Sequence, residues 1–299
     1  MRIIGYWLAN KGSINKLGIE RLTHLNIAFA IPEKSGNLKL PIDVTALAHQ
    51  IKKIRKLNHL IHITLVIGGW SDGDTLLSDV FKEICSDTNK ISTFFMSLSE
   101  ILDEIKFDGL EIDWEYPDIE STKMFDRLMS NMTGISRRYG TTLSIAVAGC
   151  KENAQYVSDR AVGLCDWIGI MSYDGVGGYN HGSYDEAKTS LLYWTKDRNT
   201  DRDSLVVGIP LYSRPGEIHA KNFHENGFTL NDFGWKNENE FFCSDHSLKT
   251  RTHAGILLGG IMFWEISQDS TSSGIIDRVL DFIDWPIASN MCECIHRKE

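Results

Sequence analysis

The segment Asp108-Gly-Leu-Glu111-Ile-Asp113-Trp-Glu115-Tyr-Pro117 carries three carboxylates spaced by two, at Glu111, Asp113 and Glu115. Side chains along a strand alternate between faces, so on a strand these three point the same way, about 6–7 Å from one to the next. Leu110, Ile112 and Trp114 then form an apolar opposite face. That face must pack under a covering helix, which argues against an exposed acidic edge. Three carboxyl groups in line in a half-buried site cannot all ionise cheaply. Their titrations are expected to couple, with at least one proton held near neutral pH. The outermost, Glu115, is best positioned to hand that proton to a substrate oxygen. The chemistry implied is general acid catalysis.

Such a row of acids needs a strand whose end opens into a cleft. Eight short runs read as strands: Arg2–Tyr6, His24–Ala30, His62–Ile67, Gly109–Asp113, Leu143–Ala148, Trp167–Tyr173, Leu205–Leu211 and Gly260–Trp264. Most are near-continuous Ile, Val and Leu, the pattern of strands buried on both faces in a helix-covered parallel sheet. Between them, Ile91, Phe94, Phe95, Leu98, Ile101, Leu102 and Ile105 recur at helical spacing. Thr45–Leu57 and Met124–Arg138 read the same way, and Ser273–Ile283 is predicted to be the last helix. Alternating strands and helices argue for right-handed βαβ units. The fold class implied is α/β, a closed (β/α)8 TIM barrel, with an open doubly wound sheet as the alternative. In a barrel the acids face the axis near the C-terminal strand end, where barrel enzymes keep their chemistry. The stretch from Tyr212 to Gly259 must also hold a helix, and Phe223–Phe242 within it reads as a long loop. That leaves no room for a large insertion domain. The organisation predicted is one catalytic barrel over residues 1–285 and an irregular, charged tail over 286–299.

The acidic segment resembles the D-x-x-D-x-D-x-E signature of family 18 glycoside hydrolases, with Glu111 where that family usually has Asp. The Asp113-Trp-Glu115-Tyr-Pro117 form resembles the chitinase branch in particular. Further matches follow in chain order. Ile67-Gly68-Gly69-Trp70 resembles the third-strand S-x-G-G-W element, with Val66 where Ser is expected. Met171-Ser-Tyr173-Asp174 resembles the sixth-strand M-x-Y-D. Gly208-Ile-Pro210-Leu-Tyr212-Ser213-Arg214 resembles G-x-P-x-Y-G-R of the seventh strand. Gly260-Ile-Met262-Phe-Trp264 resembles G-x-M-x-W of the eighth. The resemblance runs from residue 2 to about 285.

What the resemblance implies is a retaining chitinase acting on β-1,4-linked N-acetylglucosamine polymers, in which the substrate's own N-acetyl group is the nucleophile. On that analogy Glu115 protonates the leaving oxygen and then serves as base for water. Asp113 would hydrogen-bond the acetamido N–H, and Tyr173 would position the acetyl oxygen. Glu111 would sit beneath Asp113 and share its proton, with Tyr6 nearby and itself among the substrate-binding residues. Trp264 would floor the pocket, since a wide indole packs well on the apolar C–H face of a sugar. Trp70 and Trp114 would serve neighbouring sugar sites. Phe29, Met171 and Tyr212 would line the cleft, and Asp174 and Arg214 would offer polar contacts. Trp167 and Trp194 read as packing residues. His24 and His62, near strand starts, read as structural. The departures at Val66 and Glu111 fall on neighbouring strands and have two readings: compensation, the favoured one, in which the longer acid reaches another donor such as Tyr6, and decay, in which Asp113 is poorly supported and turnover is low. Without an insertion domain one wall of the cleft would be low, which predicts endo-type cutting. The competing readings are a non-hydrolytic chitin-binding lectin and an endo-β-N-acetylglucosaminidase acting on N-glycans or peptidoglycan. Binding alone does not need Glu115, so its presence favours hydrolysis.

Composition bounds the partners. The chain has 299 residues, enough for one barrel. Its net charge of -9 is opposite in sign to the basic face of a nucleic-acid binder, while a neutral polysaccharide needs no charge steering. No apolar run approaches a bilayer span, so neither nucleic acid nor membrane is expected as a partner, and a monomer is predicted. Met1-Arg-Ile-Ile-Gly-Tyr-Trp reads as a strand and not as a signal peptide. Localisation stays open between the cytoplasm, another export route, and secretion with the leader removed. The six cysteines, Cys85, Cys150, Cys165, Cys243, Cys292 and Cys294, show no tight disulfide framework. Cys150 and Cys165 read as free core thiols. Cys292-x-Cys294-x-His296 lacks a fourth ligand at zinc spacing, and Gly177-Gly178 lacks the Lys and Ser or Thr of a phosphate loop. No metal and no cofactor is implied.

Overall fold

Eight apolar runs form strands: β1 (Arg2–Leu8), β2 (His24–Pro32), β3 (His62–Gly69), β4 (Gly109–Trp114), β5 (Thr142–Ala148), β6 (Trp167–Met171), β7 (Leu205–Pro210) and β8 (Gly260–Trp264). The structure is a computed structural model that describes residues 1–11, 18–175, 180–231, 234–270 and 274–283. Each strand pairs in parallel with the next, and β8 pairs back onto β1 from Arg2↔Gly260 to Gly5↔Phe263. Closure decides for the barrel and against the open sheet.

Helices α1 (Val44–Leu57), α2 (Leu77–Ser86), α3 (Thr88–Glu104), α4 (Thr122–Tyr139), α5 (Tyr184–Leu192) and α6 (Asp245–Leu257) surround the strands, followed by a helix over 275–283. Local chemistry starts several of them. Asp43 and Asp87 cap α1 and α3 by accepting two backbone N–H bonds each, and Ser183 and Ser244 accept one each for α5 and α6. Such caps contribute about 1 kcal/mol apiece. The apolar stripe predicted for α3 is real: Phe94, Leu98, Ile101 and Leu102 are buried against the strands, each contributing roughly 1.5–3 kcal/mol.

The core has two parts. A large one lies between strands and helices and includes Phe81, Trp114, Phe125 and Trp194. A small one fills the bore with Ile4, Tyr6, Ala28, Val66, Trp167, Val206 and Met262. The bore is therefore packed, and ligands can enter only over its open end.

The connection from β7 to β8 differs from the long loop expected. It contains short 3-10 turns at Ala220–Asn222 and His224–Asn226, then an antiparallel ribbon of Thr229–Asn231 with Gly234–Lys236. Strands of three residues are too short for alternation to register among Asn and Glu. The tail over 286–299, with Cys292, Cys294 and His296, lies outside the described residues, as do Gly177 and Gly178.

Candidate active site

The C-terminal strand ends open into one cleft of about 1440 Å³ whose wall includes Phe29, Trp70, Asp113, Glu115, Met171, Tyr173, Asp174, Tyr212, Arg214 and Trp264. The acidic row behaves as strand alternation demands. Glu111, Asp113 and Glu115 lie on the inner side, and Trp114 lies on the outer side. Registers of Val66↔Glu111↔Ser144 and Gly68↔Asp113 set their depth. Gly68 has a φ of 120°, and a Cβ there would fall 2.0 Å from the Asp113 carbonyl oxygen. Only glycine admits this approach of β3 to β4.

Each acid has a different environment. Glu111 is fully buried beneath the cleft. It accepts hydrogen bonds from Tyr6 Oη (2.6 Å) and Asn26 Nδ2 (3.1 Å) on Oε1, and from Ser144 Oγ (2.7 Å) on Oε2. Burial raises its pKa, and these three donors pull it back. Asp113 is 3% exposed, and its Oδ1 has no hydrogen-bond partner. Burial, reinforced by the charges of Glu115 and Glu111, raises Asp113 well above the usual carboxylate range. Glu115, at the cleft floor, is pushed up to about 7, first by burial and then by the charge of Asp174, against the pull of a hydrogen bond from Tyr116. The hydrogen bonds to Glu111 come from Tyr6, Asn26 and Ser144.

The aromatic residues divide. Trp264 lines the cleft with Phe29 at 5.5 Å between ring centroids, and Tyr6 meets its edge from below at 5.4 Å. Trp70 stands 54% exposed on the rim, 6.4 Å from Tyr116. Trp114 corrects the expectation of a sugar contact. Its ring is stacked on Phe81 at 4.8 Å, packed edge-on to Phe125, and 1% exposed, because alternation turns it to the helix side. Tyr6, also expected to touch substrate, is buried and serves Glu111 instead. Three cis peptide bonds without proline, Ala28-Phe29, Glu115-Tyr116 and Trp264-Glu265, fall beside cleft residues.

On the β6 and β7 side, Asp174 accepts from Arg214 Nε (2.7 Å) and Nη2 (3.1 Å) and from the Tyr212 hydroxyl. Burial alone would raise Asp174, but hydrogen bonds from His181, Arg214 and Tyr212 outweigh it and hold the carboxylate far below its ordinary range. Tyr173 is buried between this network and the acids, its own hydroxyl raised by burial and by the charges of Glu115 and Asp113.

Sequence reasoning missed Asn26, Ser144 and His181. Asn26 and Ser144 are polar residues inside apolar strand runs, in the phase that faces the bore, and that phase was the available signal. His181 lies in a loop and carried none. Among the described residues, no group of three or more His, Cys, Asp or Glu is arranged to hold a metal ion.

A family model described as "Glycosyl hydrolases family 18" matches residues 2–269. The chain is 27% identical over 194 residues to "Probable chitinase 10" of Drosophila melanogaster, covering 54% of this chain and 8% of that protein. It is similar in structure to a GH18 chitinase of Flavobacterium johnsoniae, with a TM-score of 0.80, 23% identity, and coverage of 94% and 93% of the two chains. It is also similar to a GH18 chitinase of Cycas revoluta in complex with allosamidin, with a TM-score of 0.76, 20% identity, and coverage of 93% and 98%. At such identity these structures fix the fold. The chain spans less than two thirds of the length of the curated relatives it matches.

Proposed function

This chain belongs to glycosyl hydrolases family 18, and we propose that it is a retaining, endo-type chitinase that cleaves β-1,4-linked N-acetylglucosamine polymers with Glu115 as general acid and base. The observation that carries this reading is the contrast between two adjacent acids on one strand end. Glu115 has its pKa raised to about 7, matched to proton transfer near neutrality. Asp113 keeps a buried oxygen without a partner.

In the proposed reaction Glu115 gives its proton to the glycosidic oxygen as the C–O bond breaks. The substrate's acetamido oxygen attacks the anomeric carbon from the other face and forms an oxazolinium ring. Asp113 Oδ1 accepts the acetamido N–H and stabilises the positive charge. Tyr173 donates to the acetyl oxygen and orients it. Ionised Glu115 then takes a proton from water, which opens the ring and restores the acid. Trp264 floors the reacting sugar, Trp70 carries a neighbouring one, and the charge of Glu111 below Asp113 favours a proton on Asp113. Relatives such as the "Endochitinase" of Manduca sexta support chitin as the substrate. The β7–β8 connection, whose described residues form short turns, a two-stranded ribbon and α6, supports endo-type cutting.

The test is digestion of N-acetylglucosamine oligomers, with products sized by mass and anomers read by early-time proton NMR. Internal cleavage giving β-anomers is expected. Binding without turnover would favour the lectin, and cleavage confined to N-glycans or peptidoglycan would favour the other hydrolase reading. Initial α-anomers would exclude substrate assistance.

A further inference from the structure

His181 is 1% exposed and stands behind the cleft wall. Its Nε2 lies 2.9 Å from the carbonyl oxygen of Tyr212. A carbonyl only accepts, so Nε2 carries a hydrogen and donates it. Nδ1 accepts from the Asp174 backbone N–H at 3.3 Å, and lies 3.0 Å from Asp174 Oδ1, to which it donates only in the imidazolium form. The ring therefore ties the chain after β7 to Asp174, in the turn beyond the end of β6. Glu186 of α5 reinforces the same region, accepting from Gly175 N (2.8 Å) and Gly182 N (2.7 Å). Asp174 has a φ of 54°, left-handed backbone that is uncommon for a residue with a side chain and persists where the surroundings over-determine it.

The Asp174 carboxylate is held from two sides. Arg214 lies on the outer side and also pairs with Glu217. His181 lies on the buried side. The groups facing His181 are Asp174, Tyr173 (6.5 Å between centroids), Tyr212 (4.8 Å) and Glu186, with Arg214 beyond Asp174. The charge of Asp174 in turn acts on Glu115.

We propose that His181 is a positioning residue of this site, fixing Asp174 in the cleft wall that it shares with Glu115. The proposal rests on the reading of Glu115 as the general acid. Without His181, Asp174 follows Arg214 outwards and its push on Glu115 weakens. The alkaline limb of the kcat/KM profile then moves to lower pH.

The experiment compares His181→Ala, His181→Asn and His181→Gln by the pH dependence of kcat/KM on N-acetylglucosamine oligomers. An Asn amide reaches where Nδ1 stands and keeps the contact with Asp174. A Gln amide reaches where Nε2 stands and keeps only the anchor to Tyr212. The Ala variant is expected to shift the limb down by at least about half a pH unit, well within the range that one neighbouring charge produces. Asn should restore the limb, and Gln should not. A purely structural role would lower the yield of folded enzyme and leave the limb in place. An unmoved limb in His181→Ala, or restoration by Gln and not Asn, overturns the proposal. If the Ala variant does not fold, the Asn and Gln pair decides alone. Glu115→Gln is assayed in parallel. Turnover surviving there would overturn the acid assignment and His181 with it, whereas turnover lost there with an unmoved limb counts against His181 only.

Discussion

The two ends of the barrel use the same residue types in opposite ways. At the N-terminal end, Asp108 just ahead of β4 accepts from Arg55 Nη2 (2.9 Å) and Ile63 N (2.8 Å), and Asp166 accepts from Leu143 N (2.8 Å). His24 and His62 lie tilted against each other at 4.7 Å with Trp167 edge-on to both, and the Arg2 guanidinium covers Trp167 at 4.8 Å. Burial, helped by the neighbouring His62, pushes His24 down to about 3 and keeps it neutral. At the C-terminal end, seven residues further along the same strand, Glu115 holds a proton near neutrality and Asp113 has an oxygen left over. An ionisable group whose partners are all supplied by the protein contributes stability. One deprived of partners costs stability and leaves a bond for a ligand to complete.

The sharpest way to break this contrast is Glu115→Gln. Turnover should fall by at least about a hundredfold, the scale of general acid catalysis, while the folded protein still binds oligosaccharide in a titration. Stability should move the other way. Glu115 is raised from 4.5 to about 7 on folding, so its contribution to stability is full below 4.5 and lost as pH rises through 7. The Gln variant should therefore melt higher than the native protein above pH 7, with the difference vanishing near pH 4. Equal melting temperatures at pH 8 would contradict the raised pKa.

At the other end, Asp108→Ala should cost about 1–3 kcal/mol in denaturant unfolding, because it strands the Ile63 N–H and the Arg55 guanidinium. Its kcat should stay within about twofold, since the folded site is untouched. Loss of kcat with unchanged stability would erase the distinction between the ends.

The smallest effect sharpens the account of Glu111. Glu111→Asp should lower kcat by withdrawing the carboxylate from Tyr6 or Ser144, and Val66→Ser added to it should restore kcat. A double-mutant cycle should give a coupling of at least about 1 kcal/mol if the two positions share a network. Additive effects would separate them.

Much of this was legible in the sequence, for identifiable reasons. The strands were readable because burial on both faces leaves almost no polar residues in them. The acidic row was readable because its period of two can have only one meaning on a strand. Helix α2 was not read, although Leu77, Val80, Phe81 and Ile84 have helical spacing, because no capping side chain marks its start. Trp114 was misread as a sugar contact although its phase already assigned it to the helix side. The compensation expected for Val66 has a donor in Tyr6, as anticipated, but Ser144 on the opposite neighbouring strand adds a hydroxyl that only the register reveals. His181 was invisible, since its role depends on two loops meeting in space.

The pH dependence of kcat/KM on an N-acetylglucosamine oligomer tests the central claim most directly. Glu115 acts only while protonated, and burial together with Asp174 raises its pKa to about 7. The rate should therefore fall as pH rises through about 7. A fall centred near the ordinary glutamate value of about 4.3, or a rate unchanged far above 7, would contradict the assignment of Glu115 as the acid.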